Sequence, residues 1–333
     1  GPLLGLLGEH ALAQGAFPRA LTCFRYAERW CARVPDEAGA VTARANAALV
    51  HLRLGRRDEA RRDLIAAASG FARLGNVREA ARTRLILSDF LRDQGDMDGA
   101  EAAVEAAAEA VGQAPGAELD VEVWVRRGLL AEARERPIDA TPAYARALAI
   151  CDAGGLAGAA PAVLARLAEI ALIGGDAIQA RAWLEDALAR AEAGGARAQQ
   201  ASLTLALAGV CLMDHDFPGA EGAILSAEQH WARAADPRGA LAIRLTRARM
   251  ALAEGRIAAA WTHLARAREQ AALTGFEAAT RAAQGFALAL AVHEGGASCF
   301  AATRWHRSRQ KTESLPLWDG GGLSVFEQAR ALA

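Results

Sequence analysis

Asp214-His215-Asp216 flanks an imidazole with two carboxylates, the residue set of a metal cluster or a proton relay. The same residues serve tight turns, where Asp accepts hydrogen bonds from nearby backbone amides, and turn chemistry is the expectation here. His293, Cys299 and His306 are near enough in sequence to meet, but neither their spacing nor their types match a zinc site. The remaining histidines, His10, His51, His230 and His263, are scattered, and no HExxH motif occurs. The stretch from Asp152 to Gly158 is Gly-rich but lacks the lysine of a phosphate-binding loop and any preceding strand. No GxSxG motif or nucleophile–base pair is recognisable. The expectation is a chain without catalytic residues, metal or cofactor.

The elements that would position any site are set by an internal repeat. Alanine recurs every 40 residues at Ala20, Ala60, Ala100, Ala140, Ala180, Ala220 and Ala260. A second column follows seven residues later, from Ala27 to Ala267. Between them lies a larger apolar residue: Phe24, Leu64, Val104, Tyr144, Leu184, Ile224 and Leu264. Small, large, small at spacings of four and three share one helical face. Five residues before the first alanine stands Gly15, Gly55, Gly95, Gly175 or Gly255, with Glu135 and His215 in the two exceptional copies. The glycine ends one helix and permits the turn into the next. Breaks near Pro35, Gly75, Pro115, Gly155, Gly195 and Gly275 close the second helix. Each unit is therefore helix A, a turn, and helix B.

Helix A has apolar columns of its own. One runs His10, Val50, Phe90, Leu130, Ile170, Val210, Met250, Leu290, and another runs Ala45, Leu85, Val125, Ala165, Leu205, Leu245. A single hairpin cannot bury so much apolar surface, so neighbouring units must stack into a continuous core. The tryptophans, Trp183 and Trp261 on helix B among them, are expected mostly in the core or between repeats.

The turn glycine followed by Ala, a large apolar residue and Ala resembles the tetratricopeptide repeat family. Leu7-Gly8, and Trp124 with Gly128, also match its helix A. The resemblance implies an all-α, right-handed α-solenoid. The family's usual period is 34 residues. The six extra residues per unit would add roughly 9 Å of helix, as in the long repeats of kinesin light chains, LGN-type scaffolds and MalT-type regulator sensor domains. The family's helix A tryptophan column departs here to Arg44, Arg84, Thr204, Arg244 and Gln284.

In that family the polar face of helix A lines a concave groove. Positions 2, 6, 9 and 13 of each repeat share this face. They include Thr42, Asn46 and Arg53; Arg82, Asp89 and Asp93; Glu122 and Arg126; Arg166 and Glu169; Thr246 and Arg249. Arg126 and Arg166 occupy one position in adjacent units and are expected side by side, where two guanidinium groups would grip a carboxylate or phosphate on a peptide. The family's lysine-and-asparagine carboxylate clamp is absent. The alternative is a solvated or internally salt-bridged stripe, since arginine and carboxylates are mixed.

By these patterns residues 1–294 hold seven repeats and helix A of an eighth. Residues 295–308 form a degenerate helix B or cap, 309–323 a linker, and 324–333 a short helix opened by Ser324 and Glu327. That helix is expected to dock on the last repeat, with continuation into a further domain or occupation of the groove as alternatives. Gly1-Pro2 is a pair that protease cleavage leaves behind, an expectation under which the chain is a piece of a longer protein.

Hydrophobic residues make up 53% and aromatics 5%, with alanine dominant, which favours helix over sheet. The net charge of −1 supplies no global attraction to nucleic acid or an anionic membrane. No apolar run spans a bilayer and no signal peptide is visible. Lys311 is the single lysine beside many arginines. Cys23, Cys31, Cys151, Cys211 and Cys299 form no CxxC pair, as expected of buried thiols in the cytoplasm. The expected function is a non-catalytic scaffold holding a protein or peptide segment, with an acidic group as its natural counterpart. The alternatives are a sensing domain of a larger bacterial ATPase or transcription regulator, and the accessory part of an enzyme.

Overall fold

The structure is a computed structural model that describes residues 2–113, 116–234 and 237–274. It contains fourteen α-helices among the described residues. They are α1 (Pro2–Ala13), α2 (Phe17–Cys31), α3 (Glu37–Arg53), α4 (Arg57–Arg73), α5 (Val77–Asp93), α6 (Met97–Gln113) and α7 (Ala117–Ala133). There follow α8 (Thr141–Gly154), α9 (Ala160–Ile173), α10 (Ala177–Ala193), α11 (Arg197–Met213), α12 (Phe217–Ala234), α13 (Pro237–Ala253) and α14 (Ile257–Thr274). No strand occurs among the described residues. The expectations for the degenerate eighth unit, the linker and the terminal helix fall outside the described residues, as do His293, Cys299 and His306.

The chain divides into two compact units, Gly1–Arg136 and Pro137–Ala333. The division falls within one 40-residue period, at a turn unlike the others. Glu135 takes the place of glycine there, and Pro137 opens a short 3-10 helix, Pro137–Ala140, before α8. In the first unit each helix packs on the next from α1 to α7, and the A helices α1 and α3, and α5 and α7, also touch. The second unit repeats this from α8 to α14, with α9 on α11 and α11 on α13.

The small–large–small columns of helix B are buried in all seven copies, with Phe24, Val104, Tyr144, Ile224 and Leu264 fully enclosed. Each large member contributes about 1.5–3 kcal/mol by leaving water. The A-helix column is buried from Val50 to Met250, while His10 is exposed and hydrogen-bonded to Gln14 at 2.9 Å. Glycine lets helices close up at particular points. A Cβ at Gly70 would stand 2.7 Å from Val41, and one at Gly8 would stand 2.6 Å from the Phe24 ring. Trp231 is buried against Gly239, as packing requires, but Trp30 is 53% exposed.

The A–B turns share one backbone device. The second residue after the helix takes a left-handed φ between 56° and 81°, at Gly15, Gly55, Gly95, Glu135, Gly175, His215 and Gly255. The next amide then reaches back five residues, as Arg56 does to the His51 carbonyl at 2.9 Å and Asp216 to the Cys211 carbonyl at 2.8 Å. Gly75, Gly155 and Gly195 repeat the device between units. Asp36, Asp96, Asp176 and Asp216 then cap the following helices, each accepting from the amide three residues on at 2.8–3.0 Å.

Candidate functional site

Asp214-His215-Asp216 is fully used by the fold. Asp214 pairs with Arg181 at 2.8 Å. His215 is the left-handed turn residue, and its ring meets Phe217 edge-on at 6.1 Å. Asp216 caps α12 through the Gly219 amide at 2.9 Å. Among the described residues no group of His, Cys, Asp or Glu is placed to hold a metal ion. No helix among them is long and apolar enough to cross a membrane. Cys31, Cys151 and Cys211 are buried and Cys23 is half-buried; burial pushes the Cys31 and Cys151 thiols up, away from the reactive thiolate.

The polar face of the A helices is the remaining candidate. In the first unit it holds Asn46, Arg53, Arg82, Asp89, Asp93, Glu122 and Arg126. Arg126 on α7 donates to Asp89 on α5 at 3.2 Å and lies 3.5 Å from Glu122. Asp89 also accepts from Arg92 at 3.1 Å, and Arg92 reaches Asp93 at 3.1 Å. This network spans two repeats and follows the salt-bridged alternative in the middle of the stripe. Arg82 is exposed and pairs with Glu79 at 3.0 Å. The Thr42 hydroxyl turns inward to the Ala38 carbonyl at 2.9 Å. Arg53 is exposed and Asn46 half-buried, and neither side chain is hydrogen-bonded among the described residues.

In the second unit Arg166 donates to Glu169 on the same helix at 3.0 Å. Thr246 is buried, its hydroxyl donating to the Ala242 carbonyl at 3.1 Å. Arg249 on α13 has neither a hydrogen bond nor an ion pair among the described residues. Its side chain is half-buried, and desolvation pulls its pKa down to about 10. Arg126 belongs to the first unit and Arg166 to the second, so the expected guanidinium pair is not a contact within either unit.

Sequence reasoning missed a polar cluster joining α2, α3 and α4. Arg25 donates to Asp63 at 2.7 Å and to Glu28 at 2.9 Å, and Arg44 donates to Glu28 at 2.7 Å. Burial alone would raise the Glu28 carboxyl, but hydrogen bonds from Arg25 and Arg44 outweigh it and leave it below the usual carboxylate value. His51, almost wholly buried, places Nε2 3.3 Å from Arg25 Nη2 and 3.6 Å from Asp63. Arginine only donates, so Nε2 accepts and the ring proton sits on Nδ1, which is buried without a partner. The usable signal was His51 breaking an otherwise apolar column, with Asp63 the single acid of its own column in the same repeat.

No family model matches the chain, and no curated protein matches it in sequence. Among solved structures it is similar to the apo form of RapI, with a TM-score of 0.62 and 14% identity over 80% of this chain and 97% of that one. A Rap protein complexed with competence and sporulation factor gives 0.56 and 14% identity, over 80% and 73%. PH0952 from Pyrococcus horikoshii, a signal transduction ATPase with numerous domains and a tetratricopeptide repeat sensor, gives 0.57 and 15% over 91% of this chain and 48% of that one. At such identities the likeness speaks for the fold alone, and that fold is the all-α solenoid of tetratricopeptide-like repeats.

Proposed function

We propose that the chain is a non-catalytic scaffold, working in the cytoplasm, that holds a protein or peptide segment on the polar face of its A helices. The observation that carries this reading is the division of labour on those helices. Their apolar columns are buried, while the half-buried Asn46 and the exposed Arg53 carry side chains with no hydrogen bond among the described residues. Linear segments lying along such faces are a recurrent mode of recognition. The Rap protein complexed with competence and sporulation factor shares the fold and lends the reading support. The repeats are taken to run to residue 294, with a cap, linker and short helix beyond. A peptide array probed with wild type, Asn46→Ala/Arg53→Ala and Arg126→Glu tests the assignment. Both variants should bind selected peptides at least tenfold more weakly. Equal binding by all three would sink it.

A second reading is a sensing domain of a larger regulator. It is favoured by the likeness to PH0952, whose matched portion accounts for 91% of this chain. The coding sequence on either side decides: without an ATPase or DNA-binding region there, this reading loses its support.

A further inference from the structure

One side of α1 is open to solvent, although the equivalent side of each later A helix is covered. Leu3 is 70% exposed. Its equivalents at 40-residue intervals, Ala43, Thr83, Val123, Val163, Leu203 and Ile243, are at most 6% exposed. Leu203 shares an apolar cluster with Leu184 and Ala187 of the preceding helix B, and Val123 does so with Val104 and Ala107. Leu7 is exposed as well, whereas its equivalent Ala47 is fully buried with Ala20 and Phe24 of α2. Leu6 adds a third exposed leucine, one helical turn from Leu3.

The adjoining side of α2 is open too. Cys23, Tyr26 and Trp30 share one side of that helix by their spacing. Asp63, the equivalent of Cys23, is where α4 receives Arg25 of the preceding repeat at 2.7 Å. Gly70, the equivalent of Trp30, faces Val41 near the start of its own helix A. Trp30 therefore stands beside the start of α1, and both it and Tyr26 are more than half exposed.

Charge decides what fits this patch. Each junction between repeats within Gly1–Arg136 carries an ion pair from a helix B to the next repeat. These pairs are Arg25 with Asp63, Glu28 with Arg44, Arg61 with Asp96, and Glu105 with Arg127. The receiving positions, those of Asp63, Arg44, Asp96 and Arg127, hold Cys23, Leu4, Ala16 and Leu7 on the open side. A further repeat of that kind would bring charges that meet no counterpart there. A second copy of the same side brings leucines and aromatics instead.

We propose that α1 and α2 form the interface of a homodimer, in which Leu3, Leu6, Leu7, Tyr26 and Trp30 of two copies meet across a two-fold axis. An isologous contact of this kind needs a surface that complements itself, and an apolar one does so without opposing like charges. The three leucines and two aromatics present roughly 500 Å² of apolar surface, a large patch for a monomer to leave open. A stable interface takes about 800 Å² from each partner, so the patch supplies more than half of one. Arg19, exposed near the start of α2, borders it and belongs to the polar rim that such interfaces carry. The pairing goes beyond the peptide-binding reading and does not depend on it.

Sedimentation equilibrium of the full chain tests this. Wild type should be a dimer at micromolar concentration. Leu3→Glu/Leu6→Glu and Leu3→Arg/Leu6→Arg should each weaken it about a hundredfold, since both bring like charges together in an apolar contact. The replaced side chains are exposed in the single chain, so helix content by circular dichroism should stay that of wild type. Mixing the two variants should restore the dimer, because a face that meets itself then sets Glu against Arg. Ile178→Glu, at an exposed isoleucine of the second unit, should dimerise as wild type does. A monomeric wild type, a dimer that persists in both charged variants, a mixture no more dimeric than its components, or equal weakening by Ile178→Glu would each overturn the proposal. So would assembly that grows beyond two copies, the mark of head-to-tail contact. If wild type is a monomer that dimerises once residues 324–333 are deleted, the chain's own terminal segment occupies the patch and the proposal falls as well.

Discussion

Asp89 on α5 accepts a hydrogen bond from Arg126 on α7 at 3.2 Å, tying two successive A helices together across their polar face. Arg126 is mostly covered and its Nε is buried without an acceptor, so the guanidinium depends on Asp89 and Glu122 for neutralisation.

Asp89→Ala should therefore destabilise the first unit by about 1–2 kcal/mol, since it strands a largely buried charge. Glu37→Ala removes the partner of Arg73 from a pair exposed on both sides, and should change stability by less than about 0.5 kcal/mol. Urea unfolding, with hydrogen exchange of the α5 and α7 amides as the local readout, distinguishes the two. Equal effects would mean that the Asp89 pair is no more than a surface contact.

The second prediction concerns His51. Burial, ahead of the opposing pull of Asp63, holds its pKa below the ordinary value of 6.5, with Arg25 and Arg56 lowering it further and Glu59 opposing them. The unfolded chain therefore takes up this proton at a higher pH than the folded one. The stability associated with neutral His51 is complete above about pH 6.5 and is lost as pH falls through the lower folded value. Melts between pH 7 and 5 should show this loss in wild type. His51→Leu, which restores the apolar column, should show a flatter profile over the same range. Parallel profiles would exclude His51 as the titrating group.

The turns yield the third. Glu135 and His215 occupy a left-handed conformation that costs L-residues about 1–2 kcal/mol and glycine little. Glu135→Gly should stabilise the chain by about 1 kcal/mol in urea unfolding. His215→Gly should gain less, because it also removes the ring contact with Phe217. A loss of stability in Glu135→Gly would show that its side chain, rather than its backbone, determines that turn.

Much of this architecture was legible in the residues because it is local and periodic. The helix B columns follow from side chains three and four residues apart meeting on one face. The left-handed turns follow from glycine at one repeat position, so even Glu135 and His215 were recognisable as exceptions. His215 and Asp216 likewise declared themselves as a turn, since they act on their own backbone and α12, whereas Asp214 pairs with the distant Arg181. The polar face of the A helices was legible as a set of positions, but the partners of its arginines were not.

Those partners depend on which rotamers reach across a helix pair, and sequence spacing does not encode that. Asp89 joins Arg126 over 37 residues and Arg25 joins Asp63 over 38, each between neighbouring repeats. The sequence by itself determined the helices, their turns and the buried columns, because those are set by propensity and periodicity within a few residues. Only the tertiary structure decided that His51 is enclosed beside Arg25 and that the chain forms two compact units. Burial and pairing are properties of surroundings assembled from distant residues, and they exist only once the helices have packed.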